Sequence, residues 1–269
     1  METQTKNLLM LLAICFGFTA HGQVVSQANE PVYITMTTMH WNKDPETDFT
    51  DWLDTEKEYF DKVTSKNDLI MNSGYYTHYF TPDNSELLFV NVYKSWEDIE
   101  KAQEMEQKLS EEAWPDKEKR QAFFEKQRSY YSREHSDEIY TSLPYYKDLE
   151  AKSDKPLVYY MCKRDMALDG KGKPEHFKEY FDKVTSKNSK VKAYYTQRHL
   201  WGSNGRELAE VFVFDKLSDL EDFFDENEKL MATAWADETE RKEFGQELAK
   251  LFTGKHSDYI YQSVPELQK

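Results

Sequence analysis

The sequence predicts an α+β fold in which one module of strands and helices is written twice, head to tail. Three observations predict it. Residues 58–67 (EYFDKVTSKN) recur without change at 179–188, a shift of 121 positions. The same shift carries Ala113 and Trp114 onto Ala234 and Trp235, Arg120 onto Arg241, and His135, Ser136, Asp137, Ile139 and Tyr140 onto His256, Ser257, Asp258, Ile260 and Tyr261. Matches sharing one register mark an internal repeat and not a composition bias. The third observation is that strand-like and helix-like segments follow one another in the same order in both copies.

Near its start the chain carries Lys6 and an apolar run, Leu8, Leu9, Met10, Leu11, Leu12, Ala13, Ile14, Cys15 and Phe16, too short to cross a bilayer as a helix. It reads as a secretory signal, with small residues Ala20 and Gly22 placed for cleavage before Gln23. Lipidation at Cys15 is disfavoured by the bulky Ile14 before it. The expectation is a signal peptide over residues 1–22 and an exported protein, periplasmic or secreted, soluble and not inserted in a membrane after cleavage.

Residues 32–39, rich in β-branched and large apolar side chains, read as a strand, as do 158–163 in the second copy. A helix follows, because Phe49, Trp52, Leu53, Phe60 and Val63 share one helical stripe, answered by Phe177, Phe181 and Val184. Two strands come next, 75–80 and 87–93. Their turn, Thr81-Pro82-Asp83-Asn84, corresponds to Gly202-Ser203-Asn204-Gly205, and both have the chemistry of a hairpin. A second helix starts near Ser95, which forms a capping pattern with Asp98, and stops before Pro115. A third begins near Asp116 and carries Phe123 and Phe124, answered by Phe244, Leu248 and Leu251; a short strand at 138–143 closes the module. The copies span residues 31–146 and 157–267, and the charged, proline-ended segment 147–156 (KDLEAKSDKP) is their linker. A sheet covered by helices on one face needs a partner for the other, and a second copy supplies it.

Composition narrows the function. A net charge of -15 makes nucleic acid an improbable partner, since phosphate binding needs clustered cations. Beyond the signal only Cys162 remains, so no intramolecular disulfide can form and packing must supply the stability. No metal or cofactor motif is legible: there is no HExxH, no cysteine pair and no calcium loop, and Gly170-Lys171-Gly172 is too short for a phosphate loop.

The element order, the Ala-Trp pair closing the second helix and the His-Ser-Asp-x-Ile-Tyr segment before the last strand resemble the dimeric α+β-barrel superfamily, which includes antibiotic-biosynthesis-monooxygenase-like and NIPSNAP-like proteins. The resemblance covers residues 32–267 and implies two ferredoxin-like modules in tandem that pair their sheets into an intramolecular pseudo-dimeric α+β barrel. Members include cofactor-independent monooxygenases, haem-degrading enzymes and proteins with no known chemistry, so the fold leaves the function open. The haem-degrading group uses an asparagine on the first strand, and residues 32–41 contain none.

Within such a barrel, Val90 and Val92, matching Val211 and Val213, form an apolar face expected under the helices. Asn91 and Glu210 would then point inward, beside His78 and its counterpart His199. Two histidines, an amide and a carboxylate in an aromatic cavity could bind a polar small molecule, with a histidine as general base. The alternative is that the four are strand residues satisfied locally. The adjacent His135-Ser136-Asp137 and His256-Ser257-Asp258 cannot face one another as a triad, and are expected to end a helix in a polar turn. Three readings follow: a small-molecule binding protein, a cofactor-independent monooxygenase or haem-degrading enzyme, or a structural or interaction protein with a filled core. The partner called for by the first is a small-molecule ligand, and nothing in the sequence specifies an oligomeric state.

Overall fold

The computed structural model describes residues 30–42 and 48–269, so the expected signal peptide lies outside the described residues. The first module comprises β1 (Tyr33–Trp41), α1 (Phe49–Lys62), β2 (Ile70–Phe80), β3 (Glu86–Tyr93), α2 (Trp96–Ala113), α3 (Lys117–Ser129) and β4 (Tyr131–Lys147). The second repeats this order with β5 (Val158–Met166), α4 (Pro174–Lys183), β6 (Ala193–Trp201), β7 (Glu207–Phe214), α5 (Ser218–Ala234), α6 (Glu238–Ala249) and β8 (Phe252–Ser263).

The helix starts follow from their caps. Asp48 accepts the Thr50 N–H to open α1, Ser95 that of Asp98 to open α2, and Asp116 that of Lys119 to open α3. The repeated decapeptide forms the last turns of α1 and of α4, each followed by a 3-10 turn. Its last residue ties each helix pair together: the Asn67 amide donates to the Ala102 carbonyl at 2.9 Å and the Asn188 amide to that of Phe223 at 3.0 Å. The Ala-Trp pairs and the arginines belong to the same framework. Lys62 lies over the Trp114 ring at 4.8 Å and Lys183 over Trp235 at 4.7 Å, while Arg120 and Arg241 donate to the Trp114 and Trp235 carbonyls. The repeated residues hold the helical layer to itself.

The eight strands close into one antiparallel barrel in the order β1-β3-β2-β8-β5-β7-β6-β4. Each module contributes a 4-1-3-2 sheet, and two joints close the ring, β2 with β8 and β4 with β6. The joints are equivalent under the 121-residue shift: His78 stands opposite Tyr261 in one and His199 opposite Tyr140 in the other. This is the tandem ferredoxin-like, pseudo-dimeric α+β barrel that the sequence resembles.

Two differences from the sequence reading matter. The closing strand, expected at 138–143, is β4 over Tyr131–Lys147, which begins directly after the α3 cap and reaches the first residue of the expected linker. His135-Ser136-Asp137 and His256-Ser257-Asp258 therefore lie within strands β4 and β8, not at a helix end. Their exposure removes the apolar alternation that announces a strand. The face assignment on β3 and β7 is also reversed. Val90, Val92 and Val211 pack inside the barrel with Ile34, Met36, Leu88, Met161 and Ala209. Phe89 packs beneath the first module's helices with Trp52, and Phe212 and Phe214 beneath the second's with Phe223. Every residue of β7 is buried, so polarity does not distinguish its faces; size does, because the narrow barrel takes the smaller side chains. Among the described residues no helix is long and apolar enough to cross a membrane.

Candidate functional site

The barrel is packed through its middle and open at one end. There Met36, Leu88 and Met161 lie beneath a cavity of 380 Å³ whose wall includes Glu86, Glu138, Lys163, Glu207, Tyr259 and Tyr261. Strand alternation places these polar groups inside, each on the face shared with the core residues two positions away.

The chemistry centres on Tyr140. Its hydroxyl lies 2.6 Å from Glu138 Oε2 and 2.6 Å from Glu207 Oε1, and the Lys163 ammonium donates to it at 3.1 Å. Lys163 also pairs with Glu207 at 3.2 Å, and Ser203 donates to Glu138 at 2.7 Å. A phenol has one proton to give, so Tyr140 donates to one of the two carboxyl groups at a time. Burial, reinforced by Glu207 and Glu138, pushes the Tyr140 phenol far above its ordinary range, which keeps it a donor. Burial pushes the Glu138 carboxyl upward as well, but hydrogen bonds from Tyr140 and Ser203 with the charges of Lys163 and His199 outweigh it and hold the group below the usual carboxylate range. The arrangement holds a protonated phenol between two carboxyl groups with one ammonium beside it.

The 121-residue shift generates a second pair across the mouth, in which the Tyr261 hydroxyl donates to Glu86 Oε1. Its surroundings differ. Where the first pair has Glu138 and Lys163, the second has Tyr259 and Thr38 at the same register positions.

The four residues expected from the sequence divide. His199 is buried beside the Tyr140 network: its ring meets that of Tyr140 edge-on at 5.2 Å, and its Nε2 lies 3.5 Å from Glu138 Oε2. Gly202, at φ +130°, closes over it, because a Cβ there would come within 2.8 Å of His199 Nε2 and 2.9 Å of Glu138 Cγ. His78 stands at the equivalent joint with its Nδ1 2.8 Å from the Thr81 hydroxyl. Asn91 and Glu210 do not point into the barrel; they follow the reversed face, outward beneath the helices. Glu210 accepts from Tyr194 at 2.8 Å and pairs with Arg164 at 3.2 Å, and burial raises its carboxyl despite both partners. Both are 6% exposed or less, sealed from the cavity by the sheet.

Sequence reasoning missed Glu86, Glu138, Lys163 and Glu207. The signal that could have found the first and last is their equivalence under the 121-residue shift that relates Tyr140 to Tyr261. A second cluster brings Cys162, His256 and Asp258 within 4.8 Å of one another on the outer sheet face. Their groups are engaged: His256 pairs with Asp258 at 2.8 Å, and the Arg164 guanidinium bonds the Cys162 sulfur at 3.2 Å, a positive charge that opposes a cation there.

No protein-family model and no curated protein matches the chain. Solved structures do. A candidate monooxygenase of Fusobacterium nucleatum superposes with a TM-score of 0.56 at 10% identity, over 88% of this chain and 93% of that one. A candidate monooxygenase of Lactobacillus acidophilus gives 0.54 at 8% identity, over 89% and 96%. A chlorite dismutase of Candidatus Nitrospira defluvii gives 0.50 at 13% identity, over 87% and 92%. The fold is that of the dimeric α+β-barrel proteins, with both halves of the barrel in one polypeptide.

Proposed function

We propose that this protein is exported and binds a polar small molecule in the open end of its barrel. The observation that carries the reading is the Glu138–Tyr140–Glu207–Lys163 network on the wall of a 380 Å³ cavity, within the size range of small-molecule sites. A purely structural barrel would be filled to its rim with apolar side chains. This one buries Tyr140 and Glu207 and half-buries Glu138 and Lys163 beside them, and such groups are costly unless a task retains them. Export rests on the apolar run from Leu8 to Phe16 and the small residues before Gln23.

A second reading, cofactor-independent turnover, is favoured by one feature. The carboxyl groups of Glu138 and Glu207 line the cavity as two acceptors with the Tyr140 hydroxyl beside them as a proton donor, which is general acid–base apparatus, and structural neighbours include candidate monooxygenases. Haem chemistry does not fit the donor set: among the described residues the cavity wall includes one histidine, His256, and its ring turns to the outer sheet face, where it is tied to Asp258.

A thermal-shift screen against amines, aromatic acids, sugars, quinones and flavins tests the reading, because a ligand binding only the folded state must raise the midpoint with concentration. A hit abolished by Glu207→Gln with the circular dichroism spectrum intact supports it. Hits unaffected by that substitution, or none, count against it.

A further inference from the structure

The two Glu–Tyr pairs at the barrel mouth occupy equivalent positions, but only one has a cation. Lys163 stands opposite Ala209 on β7 and Ser257 on β8, and Thr38 stands in the same place in the first module, opposite Leu88 and Ser136. The Lys163 ammonium serves Glu207 and Tyr140 and lies over the Tyr140 and Tyr259 rings at 5.7 and 5.9 Å. Thr38 offers no charge to Glu86. Glu86 is 8% exposed, accepts the Tyr261 phenol and makes no ion pair among the described residues.

A buried carboxylate without a counter-charge is costly, and here the space beside it is open. Glu86 lines the cavity together with the Tyr259 and Tyr261 rings, which lie nearly parallel with centroids 6.2 Å apart. A carboxylate flanked by aromatic rings attracts an ammonium through the ion pair and through the ring faces. The remaining charges favour the same sign: Glu86, Glu138, Asp165 and Glu207 line the cavity against Lys163 and Lys255, so an anion would meet net repulsion.

We infer that the ligand is an amine whose ammonium seats on Glu86 and Tyr261, at the place that corresponds to the Lys163 ammonium on the other side of the mouth. The inference rests on the reading of the cavity as a binding site and names the class of molecule it takes. The rest of the ligand lies between the two Glu–Tyr pairs, where the carboxyl partners of the Tyr140 hydroxyl face it.

The test is isothermal titration calorimetry of the full chain at neutral pH with benzylamine, benzyl alcohol and benzoate, which share a ring and differ in charge. Benzylamine is expected to bind, the alcohol at least tenfold more weakly, and benzoate more weakly still. Glu86→Gln should weaken benzylamine at least tenfold. Thr38→Lys, which supplies the protein's own ammonium to Glu86, should block it, and circular dichroism reports whether each variant folds. Alcohol or benzoate binding as tightly as benzylamine overturns the amine class while the cavity stands as a binding site. Benzylamine binding that is unchanged in both variants overturns the placement on Glu86. If none of the three binds at millimolar concentration while a non-amine ligand raises the thermal midpoint and is lost in Glu207→Gln, the amine class falls and the binding reading stands; if no ligand of any class binds, both fail.

Discussion

The two sides of the barrel mouth have the same backbone register and different electrostatics. On one side Glu207 and Tyr140 are joined by Glu138, Lys163 and His199; on the other Glu86 and Tyr261 have Thr38, Tyr259 and His78 in the equivalent places. What repeats is the frame: a cross-module Glu–Tyr bond at each joint and a helical layer tied by Asn67 and Asn188. What differs are single residues on the inner faces of β1, β4, β5 and β8. A symmetric barrel would present two identical half-sites to any molecule entering along its axis. Replacing two positions gives one side a cation of its own and leaves the other without one.

The largest effect should come from removing the cation that distinguishes the completed side. Lys163→Met strands Glu207 and Glu138, and urea denaturation should show a loss of about 3 kcal/mol. The double variant Lys163→Met/Glu207→Gln should recover much of it, since a neutral pair needs no counter-charge. A single-variant cost below about 1 kcal/mol would mean that the network is solvent-screened like a surface pair.

The helical layers break their symmetry at Glu106, whose counterpart is Asn227. Burial pushes the Glu106 carboxyl up to about 7 from an ordinary value of 4.5. The folded state therefore holds this proton more tightly than the unfolded one. The stability contributed by the group is complete below pH 4.5 and is lost as pH rises to about 7. Glu106→Asn, which copies the other module, should flatten the dependence of unfolding free energy on pH across that window by about 2 kcal/mol, allowing for partial solvent screening. An unchanged slope would contradict the burial of this carboxyl.

The two asparagines should be unequal for a visible reason. Asn67→Ala removes a buried amide that bonds the Ala102 carbonyl and accepts the Leu69 N–H, a loss of about 1–2 kcal/mol. Asn188→Ala should cost more, because its amide also donates to Asn227 Oδ1 at 2.9 Å. Denaturant melts of the two variants rank them.

The smallest change concerns Cys162, whose counterpart is Thr37. Burial pushes its thiol up to about 11, so the folded protein should resist thiol reagents at pH 8 and become labelled only on unfolding. Cys162→Ala should cost about 1 kcal/mol, as expected for a small buried side chain. Fast labelling of the native chain would place the sulfur at an accessible surface.

Much of the frame was legible because its residues repeat or obey local rules. Ser95, Asp116 and the hairpin turns announced the element boundaries, and the element order announced the barrel. The inner wall was not legible, for two physical reasons. On β3 and β7 both faces are largely apolar, so alternation could not tell inside from outside, and Asn91 and Glu210 were assigned to the cavity when they lie beneath the helices. Lys163 and Glu138 carry no repeat signal because they are the positions at which the modules diverge, and a search by likeness passes over them. His199, a ligand-binding candidate from the sequence, is buried, and its neighbours Tyr140 and Glu138 come from the other module, which only the β4–β6 joint reveals.

The central claim, that one Glu–Tyr pair is charge-completed and the other is not, is tested most directly by the unfolding free energies of Lys163→Met and Thr38→Lys, measured against wild type without ligand. The account predicts opposite signs: the first destabilises, and the second stabilises by giving Glu86 the ammonium it lacks. If Thr38→Lys lowers stability as much as the neutral control Thr38→Met or more, Glu86 has no unmet need for a cation, and the asymmetry of the barrel mouth is not electrostatic.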